Sequence, residues 1–310
     1  MKNETNKVSD NSADINKKSV EQKKHKRLPS WLKRKLATTG ESQAVQKLLT
    51  DLKLSTVCRG AKCPNRGECY AKGTATFLIM GDTCTRNCRF CAIPTKVPGA
   101  LREDEPAAVA TASKQMKLKY VVVTSVTRDD LSDGGADHFA KTILAIKNEL
   151  PTARVEVLTP DFQGDESAID KVLQAGPDVF NHNLETAKAL YSKVRPQAIY
   201  QRSLDFLSYI KKQAIEKNLP VFTKSGIMVG VGETDQQVVE TMQDLRNAGC
   251  DILTIGQYLA PSNSHLPVER YVEPETFEHW EKLALEMGFK SAACGPFVRS
   301  SYNAESVFSS

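Results

Sequence analysis

The sequence lacks a long hydrophobic run and an export signal. No apolar stretch of about 18 residues or more occurs in the 310-residue chain, so we expect no membrane-spanning helix. The first residues, MKNETNKVSDNSADINKK, lack the apolar segment of a secretory signal, and they are too acidic and too poor in arginine for a mitochondrial transit peptide. We therefore predict a cytoplasmic protein. In that compartment its eight cysteines should stay reduced and form no disulfides.

Positive charge is concentrated near the N-terminus, although the chain as a whole carries a net charge of only +5. Lysine and arginine recur through residues 17–35, and we predict a disordered basic arm over residues 1–40. This arm is either a solvated tail or a segment that attracts an acidic protein partner. No nucleic-acid-binding module follows it, so we expect no nucleic-acid partner.

Short apolar runs rich in β-branched residues recur from residue 75 onward. They are nearly continuous rather than alternating, which is typical of strands buried on both faces. The predicted strands lie at 76–80, 120–126, 154–160, 178–183, 221–230 and 251–257.

Amphipathic segments separate these strands, for example at 137–150 and 203–218, and Thr234 with Gln237 forms a capping-box pattern at the start of another helix. This alternation predicts an α/β fold, a partial (β/α)6 TIM-type barrel, with an open doubly wound sheet as the alternative. The barrel should span residues 75–290, after an N-terminal extension at 41–74 and before a C-terminal segment at 291–310. In either fold, catalytic groups belong at the C-terminal ends of the strands.

Three cysteines lie close together directly after the first predicted strand, in CTRNCRFC. Cys84, Cys88 and Cys91 follow the spacing C-x3-C-x2-C. Structural zinc sites usually have four ligands in two pairs, whereas this loop offers three thiolates. Three thiolates can bind three irons of a [4Fe–4S] cubane and leave the fourth iron open to a substrate. A structural metal loop remains the alternative.

This spacing, with Phe90 before the last cysteine, resembles the radical S-adenosylmethionine (SAM) superfamily. The upstream cysteines Cys58, Cys63 and Cys69, spaced C-x4-C-x5-C, narrow the resemblance to the lipoyl synthase family. It covers residues 45–303 and includes the segments VTSVTRDDLSDGGADHF, KSGIMVGVGET and the C-terminal RSSY. The arm at 1–40 is expected to lie outside it.

The resemblance implies two [4Fe–4S] clusters and SAM as cofactors. Cys84, Cys88 and Cys91 would hold the cluster that binds and cleaves SAM. Cys58, Cys63 and Cys69 would hold an auxiliary cluster, with Ser301 of RSSY as its fourth ligand. The pair Gly134 and Gly135 would meet the SAM amino group through its backbone.

The remaining cysteines, Cys250 and Cys294, are expected to pack in the core, with Cys294 as a minor alternative fourth ligand. His182 is expected to be a hydrogen-bonded histidine rather than a metal ligand, with Asn181 and Asn183 on the opposite face of its strand.

The implied reaction is the insertion of two sulfur atoms at C6 and C8 of an octanoyl chain held on a carrier-protein lysine. The auxiliary cluster would supply the sulfur. The implied carriers are the glycine cleavage H protein or the lipoyl domains of dehydrogenase E2 subunits. A flavodoxin- or ferredoxin-type electron donor and an iron–sulfur carrier that rebuilds the auxiliary cluster complete the implied partners, and a membrane is not among them.

Two other functions are alternatives for this sequence. A biotin synthase-like enzyme would also insert sulfur by radical chemistry, but such enzymes lack both the upstream cysteines and RSSY. A non-catalytic iron–sulfur or zinc protein would not need the glycine pair. Iron analysis after anaerobic reconstitution distinguishes the non-catalytic protein from the enzyme, for which roughly eight irons are expected in two cubanes.

Deleting residues 1–40 tests whether the basic arm steers acidic carriers. Turnover of a short octanoyl-lysyl peptide should be unchanged, whereas kcat/KM for a whole carrier protein should fall at low salt. This loss should fade near 0.5 M salt, where the Debye length is only about 4 to 5 Å. An equal loss on both substrates would contradict steering.

Overall fold

The computed structural model describes residues 28–33, 40–72 and 74–301, and these contain eight strands in one sheet. The strands follow one another in sequence order across this sheet. They are β1 (Ser55–Thr56), β2 (Thr76–Ile79), β3 (Tyr120–Ser125), β4 (Arg154–Leu158), β5 (Val179–Asn181), β6 (Phe222–Val229), β7 (Ile252–Gln257) and β8 (Ser291–Gly295).

Strands β2 to β8 run parallel, and β1 pairs antiparallel with β2. Among the described residues β8 pairs only with β7, so the sheet is open, and the predicted partial barrel is confirmed. All six predicted strands are present. The prediction omitted β8 and assigned its residues to the C-terminal segment. The run SAACG of β8 contains no β-branched residue, and its pairing with β7 makes it a strand.

Helices cover the outside of the sheet. The α-helices of the described residues are α1 (Gly40–Asp51), α2 (Val57–Gly60), α3 (Arg66–Ala71), α4 (Glu105–Gln115), α5 (Ala136–Glu149), α6 (Glu166–Gln174), α7 (Tyr191–Val194), α8 (Tyr200–Glu216), α9 (Asp235–Asn247) and α10 (Pro274–Glu286). The predicted helices at 137–150 and 203–218 correspond to α5 and α8. The capping box at the start of α9 is also confirmed: the Thr234 side chain accepts from the Gln237 amide, and the Gln237 side chain accepts from the Thr234 amide.

The N-terminal extension packs on the barrel instead of forming a core of its own. Val45 and Leu49 of α1 and Tyr70 of α3 belong to the same apolar cluster as Phe77 of β2. The hydroxyls of Thr56 and Tyr70 lie 2.7 Å apart in this buried contact. The cysteines at 58–69 are thereby fixed against the first parallel strand. Most of the predicted basic arm lies outside the described residues.

The apolar core lies between the strands and the helices, whereas the barrel interior around Glu156 is polar. Val155 and Val157 of β4 are fully buried on the helix side, and Glu156 between them is fully buried on the opposite face. Both oxygens of Glu156 lie 2.9 Å from the Lys224 ammonium on β6, whose side chain is only 1% exposed. The Tyr120 hydroxyl donates to Glu156 at 2.7 Å, so this carboxylate is held by three strands.

None of the helices within the described ranges has the length and apolar character that crossing a membrane would require.

The buried pair predicts a large effect on stability. Lys224→Met should lower the free energy of unfolding by about 3 to 5 kcal/mol, because it leaves the Glu156 carboxylate buried without its counter-ion. Denaturant unfolding of the cluster-free protein under reducing conditions would measure this. Lys47→Met is the matched control, because Lys47 pairs with Asp51 while its side chain is 79% exposed, and it should cost less than about 1 kcal/mol. Equal costs for the two variants would contradict the structural role assigned to the buried pair.

Candidate active site at the barrel mouth

The loop after β2 carries the three-cysteine motif and folds back on itself. Cys84 bridges to Thr95, its amide donates to the Pro94 carbonyl at 2.9 Å, and its carbonyl accepts from the Lys96 amide at 3.2 Å. These contacts close the loop at its base. Cys88 and Cys91 lie between the two ends, where the Cys91 amide donates to the Cys88 carbonyl at 3.0 Å.

The Cys84 sulfur accepts two backbone N–H groups. Arg86 donates from within the loop at 3.4 Å, and Thr127 donates from the segment after β3 at 3.3 Å. Hydrogen bonds to cysteine sulfur tune the properties of iron–sulfur centres. The environment of Cys84 therefore suits a cluster ligand.

Arg86 ties this loop to the ends of two further strands. Its buried guanidinium pairs with Asp129 after β3 and Asp161 after β4, each at 2.7 Å, and Arg202 of α8 also pairs with Asp161 at 2.7 Å. Burial alone would raise the pKa of Asp161, but the Arg86 hydrogen bond and the neighbouring cationic charges hold it well below its usual range. Asp161 thus stays ionised and fixes Arg86.

Burial disfavours the thiolate forms of Cys88 and Cys91. Burial raises the pKa of Cys88 above its ordinary value, although the nearby Arg195 guanidinium opposes the rise. Burial raises the pKa of Cys91 to about 12, opposed by a backbone hydrogen bond from Ile93. Because iron binds the thiolate, filling this site must release protons.

Arg195 was not singled out from the sequence. It is buried, donates to the Asn183 carbonyl at 2.8 Å and the Tyr191 hydroxyl at 2.7 Å, and its Nε atom has no hydrogen-bond partner within the described residues. Glu185, which lines the cavity beside it, has a positive φ of 69°. Both residues follow β5, the position at which a parallel barrel carries its functional groups.

The upstream cysteines form a second group at the same end of the barrel. Cys58 lies in α2, Cys69 lies in α3, and the Cys63 amide between them donates to the Cys58 carbonyl at 3.2 Å. Burial raises the pKa of Cys69 to about 12, and the charges of Cys58 and Cys63 add to the rise. The three thiols are therefore close enough to interact electrostatically.

Ser301 lies beside this second group. Its hydroxyl accepts from the Thr76 hydroxyl at 2.8 Å. Burial raises the pKa of the Cys58 thiol, and hydrogen bonds from Thr76 oppose that rise. Thr76, the first residue of β2, therefore contacts both Cys58 and Ser301. The spacing of the motifs gave no indication of this residue.

One cavity of about 940 Å³ connects the two groups. It is lined by Cys58, Cys63, Cys69 and Ser301, and also by Cys91 of the loop after β2. The wall between them includes a set of apolar side chains: Val122, Leu158, Ile227, Met228, Leu259 and Pro261. The apolar character of this wall would suit an alkyl chain.

The described residues contain no group of three or more histidine, cysteine, aspartate or glutamate side chains arranged to hold a single metal ion. Ligands of a cubane bind separate iron atoms, so they need not converge on one point. Each of the two loops offers three thiols. One loop adds N–H donors to a sulfur atom, and the other adds a hydroxyl. This donor chemistry fits [4Fe–4S] clusters.

The two glycines lie on the loop after β3, but neither lines the large cavity. Gly134 and Gly135 have φ values of 60° and 92°. A Cβ on Gly135 would lie 2.3 Å from the Met80 sulfur, at the turn that leads into the three-cysteine loop. Backbone conformation and close packing therefore require glycine at 135, and its contact with SAM stays a prediction.

The remaining candidates have structural environments. Cys250 is fully buried in the apolar cluster, as predicted, and Cys294 packs against that cluster with its amide bonded to Glu281. His182 contacts the Thr159 carbonyl and the Ser203 hydroxyl, both at 2.9 Å. All eight cysteines are described, and all are free thiols.

Two family models match the chain. The radical SAM superfamily matches residues 78–245, and the N-terminal domain of lipoyl synthase of the radical SAM family matches residues 1–63. The second match includes the basic arm, so the expectation that residues 1–40 lie outside the family resemblance was wrong. Sequence reasoning missed it because the arm contains none of the cysteine or glycine motifs.

Relatives match over nearly the whole chain. The lipoyl synthase of Caldanaerobacter subterraneus subsp. tengcongensis is 53% identical over 279 residues, which cover 90% of this chain and 96% of the relative. The lipoyl synthase of Chlorobaculum tepidum is 51% identical over 278 residues, covering 89% and 94%. The alternatives of a biotin synthase-like enzyme and a non-catalytic metal protein find no support in these comparisons.

Solved structures agree on the fold at low identity. Methylornithine synthase superposes with a TM-score of 0.51 at 14% identity, covering 84% of this chain and 85% of that one. A maturase of the [FeFe]-hydrogenase gives 0.55 at 14% identity, covering 83% and 63%. With the cysteine loop, the partial barrel and the relatives in agreement, this chain belongs to the lipoyl synthase family, whose members are radical SAM enzymes that insert sulfur with SAM and a [4Fe–4S] cluster.

Proposed function

We propose that the two cysteine groups hold two different [4Fe–4S] clusters that act on one substrate chain between them. Cys84, Cys88 and Cys91 would hold the cluster that binds SAM. Cys58, Cys63 and Cys69, with Ser301, would hold the auxiliary cluster that supplies sulfur to C6 and C8 of the octanoyl chain. The observation that carries this proposal is the cavity that is lined by Cys58, Cys63 and Cys69 and also by Cys91 of the loop after β2.

The bound SAM and its cluster supply a carbon radical, which can remove hydrogen from an unactivated C–H bond that no acid or base of the chain could attack. The chain's own residues position the reactants. The apolar wall, which includes Leu158, Ile227 and Met228, would bind the octanoyl chain and exclude water.

Two charged groups lie close to Cys88, and one of them, Glu185, lines the cavity. Arg195 and Glu185, next to Cys88, are suited to the carboxylate, amine or hydroxyl groups of SAM. The backbone of Gly134 and Gly135 remains our candidate contact for the SAM amino group.

Lipoyl synthases act on octanoylated carrier proteins. For this chain we propose an octanoylated glycine cleavage H protein or dehydrogenase E2 lipoyl domain as substrate, a flavodoxin- or ferredoxin-type protein as electron donor, and an iron–sulfur carrier that restores the auxiliary cluster. Anaerobic turnover of an octanoyl-lysyl peptide, followed by mass spectrometry, tests the activity itself. A lipoyl product with two added sulfur atoms is expected, and an unchanged peptide would contradict the proposal.

Cys88→Ala tests the assignment of the SAM-binding cluster. It removes one of three thiolates, so no 5′-deoxyadenosine should form with dithionite and SAM. Cys250→Ala is the matched control, because that thiol is buried in the core away from the cavity, and it should still cleave SAM. Wild-type cleavage of SAM by Cys88→Ala would show that this loop has been assigned wrongly.

Ser301→Ala tests the fourth ligand of the auxiliary cluster. The cluster held by Cys84, Cys88 and Cys91 should remain, so SAM cleavage should survive in part while lipoyl product is lost. Ser301→Cys should assemble a cluster that resists opening, because a thiolate is a softer ligand for iron than an alkoxide. Both outcomes can be read from iron content and product mass.

The competing assignment is Cys294. Its side chain packs against the apolar cluster around α10 and does not line the cavity. Cys294→Ala should therefore keep the auxiliary cluster. Full lipoyl production by Ser301→Ala, combined with its loss in Cys294→Ala, would reverse the assignment.

A further inference from the structure

The segment after β8 turns back across the barrel mouth and is held there at separate points. The Phe297 carbonyl accepts from the Asn65 side chain at 2.7 Å, which joins the segment to the loop between Cys63 and Cys69. The Val298 amide donates to the Gly295 carbonyl at 3.0 Å and forms the turn. We call residues 296–301 the return segment.

Ser300 makes the central contact of the return segment. Its hydroxyl accepts from Asn181 Nδ2 at 2.7 Å and donates to Asn183 Oδ1 at 2.9 Å. A serine hydroxyl has a single proton, so the bond to Asn183 uses its whole donor capacity. Asn181 and Asn183 lie two residues apart at the end of β5 and therefore face the same side.

The orientation of Asn181 is fixed by the polar interior of the barrel. Its Nδ2 group also donates to Glu156 Oε1 at 3.0 Å. Glu156 is held in turn by Lys224 and Tyr120, as described above. The Nδ2 group of Asn181 must therefore face both Glu156 and Ser300. Rotation of the Asn181 side-chain amide by half a turn would break both hydrogen bonds.

The floor under the return segment has no room for a side chain. A Cβ built on Gly256 of β7 would lie 2.1 Å from the Val298 carbonyl oxygen. Gly256 does not have a positive φ, so its conformation does not require glycine. The close passage of the return segment does require it.

We propose that Ser300 is a positioning residue that, with Asn181 and Asn183, fixes the return segment so that Ser301 faces Cys58, Cys63 and Cys69. We call the side chains of Ser300, Asn181 and Asn183 together the serine seat. This inference rests on the proposed role of Ser301 as the fourth ligand of the auxiliary cluster, and it assigns a separate role to the preceding serine.

The division of roles follows from the partners of the two serines. Ser300 bonds to asparagines of β5 and so holds the segment. Ser301 bonds to Thr76, which also contacts Cys58, and so lies beside the thiols. From the sequence alone, replacing Ser300 would be expected to have a milder effect than replacing Ser301. The serine seat instead predicts two distinct defects: replacing Ser300 should release the return segment, whereas replacing Ser301 should remove the fourth ligand.

Hydrogen exchange in the full-length protein tests the seat directly. In Ser300→Ala, amides of residues 297–301 should exchange about tenfold faster than in the wild type, because two side-chain hydrogen bonds are lost. Ser300→Thr keeps the hydroxyl and should restore slow exchange. Ser301→Ala should leave exchange slow, since the seat remains.

Cluster spectroscopy of the anaerobically reconstituted protein supplies the second readout. Ser300→Ala should give a heterogeneous auxiliary cluster and reduced iron content, and Ser300→Thr should restore both. Gly256→Ala should reproduce the defect of Ser300→Ala without altering any partner of the seat, because the added methyl group displaces Val298.

The outcomes separate the two proposals. Unchanged exchange and an unchanged auxiliary cluster in both Ser300→Ala and Gly256→Ala would overturn the serine seat. Suppose that exchange is fast in Ser300→Ala and that the auxiliary cluster of Ser301→Ala is like that of the wild type. This result would confirm that the serine seat fixes the return segment, and it would reject Ser301 as the ligand.

Discussion

The carboxylate of Glu156 is the group on which the site end of this barrel depends. It is fully buried in a polar interior, where an unpaired charge would be costly, and its oxygens bind Lys224, Tyr120 and Asn181. Four strands are joined through this one group. Because Asn181 also holds Ser300, a contact at the centre of the barrel determines where the C-terminal segment lies at its mouth.

A second network orients the loop after β2. Arg86 pairs with Asp129 and Asp161 at the ends of β3 and β4, and the Cys84 sulfur accepts N–H groups from within the loop and from Thr127. These contacts attach the three-cysteine loop to the strand ends. Such attachment limits how far Cys88 and Cys91 can move as a cluster is inserted.

The sequence supported the main parts of the fold and of the site for different reasons. The strands could be predicted because buried parallel strands have continuous apolar composition, and α9 could be predicted because a capping box is a local signal. The two cysteine motifs could be recognised because their spacing is specific. Thr76, Arg195, Glu185 and Ser300 could not be found in this way, since each belongs to a common residue type whose role arises from a partner distant in the chain. Strand β8 was missed because small residues carry little strand signal.

By itself, the sequence determined the class of chemistry and the alternation of strand and helix, and it predicted six thiols as cluster ligands, since all of these are encoded in spacing and local composition. The tertiary structure alone decided that the upstream cysteines and Cys91 line one cavity, that Cys294 packs away from it and that Ser301 reaches it. The physical reason is distance along the chain. Thr76 and Ser301 are separated by 225 positions, and only the return of the C-terminal segment across the barrel mouth brings their hydroxyls to 2.8 Å.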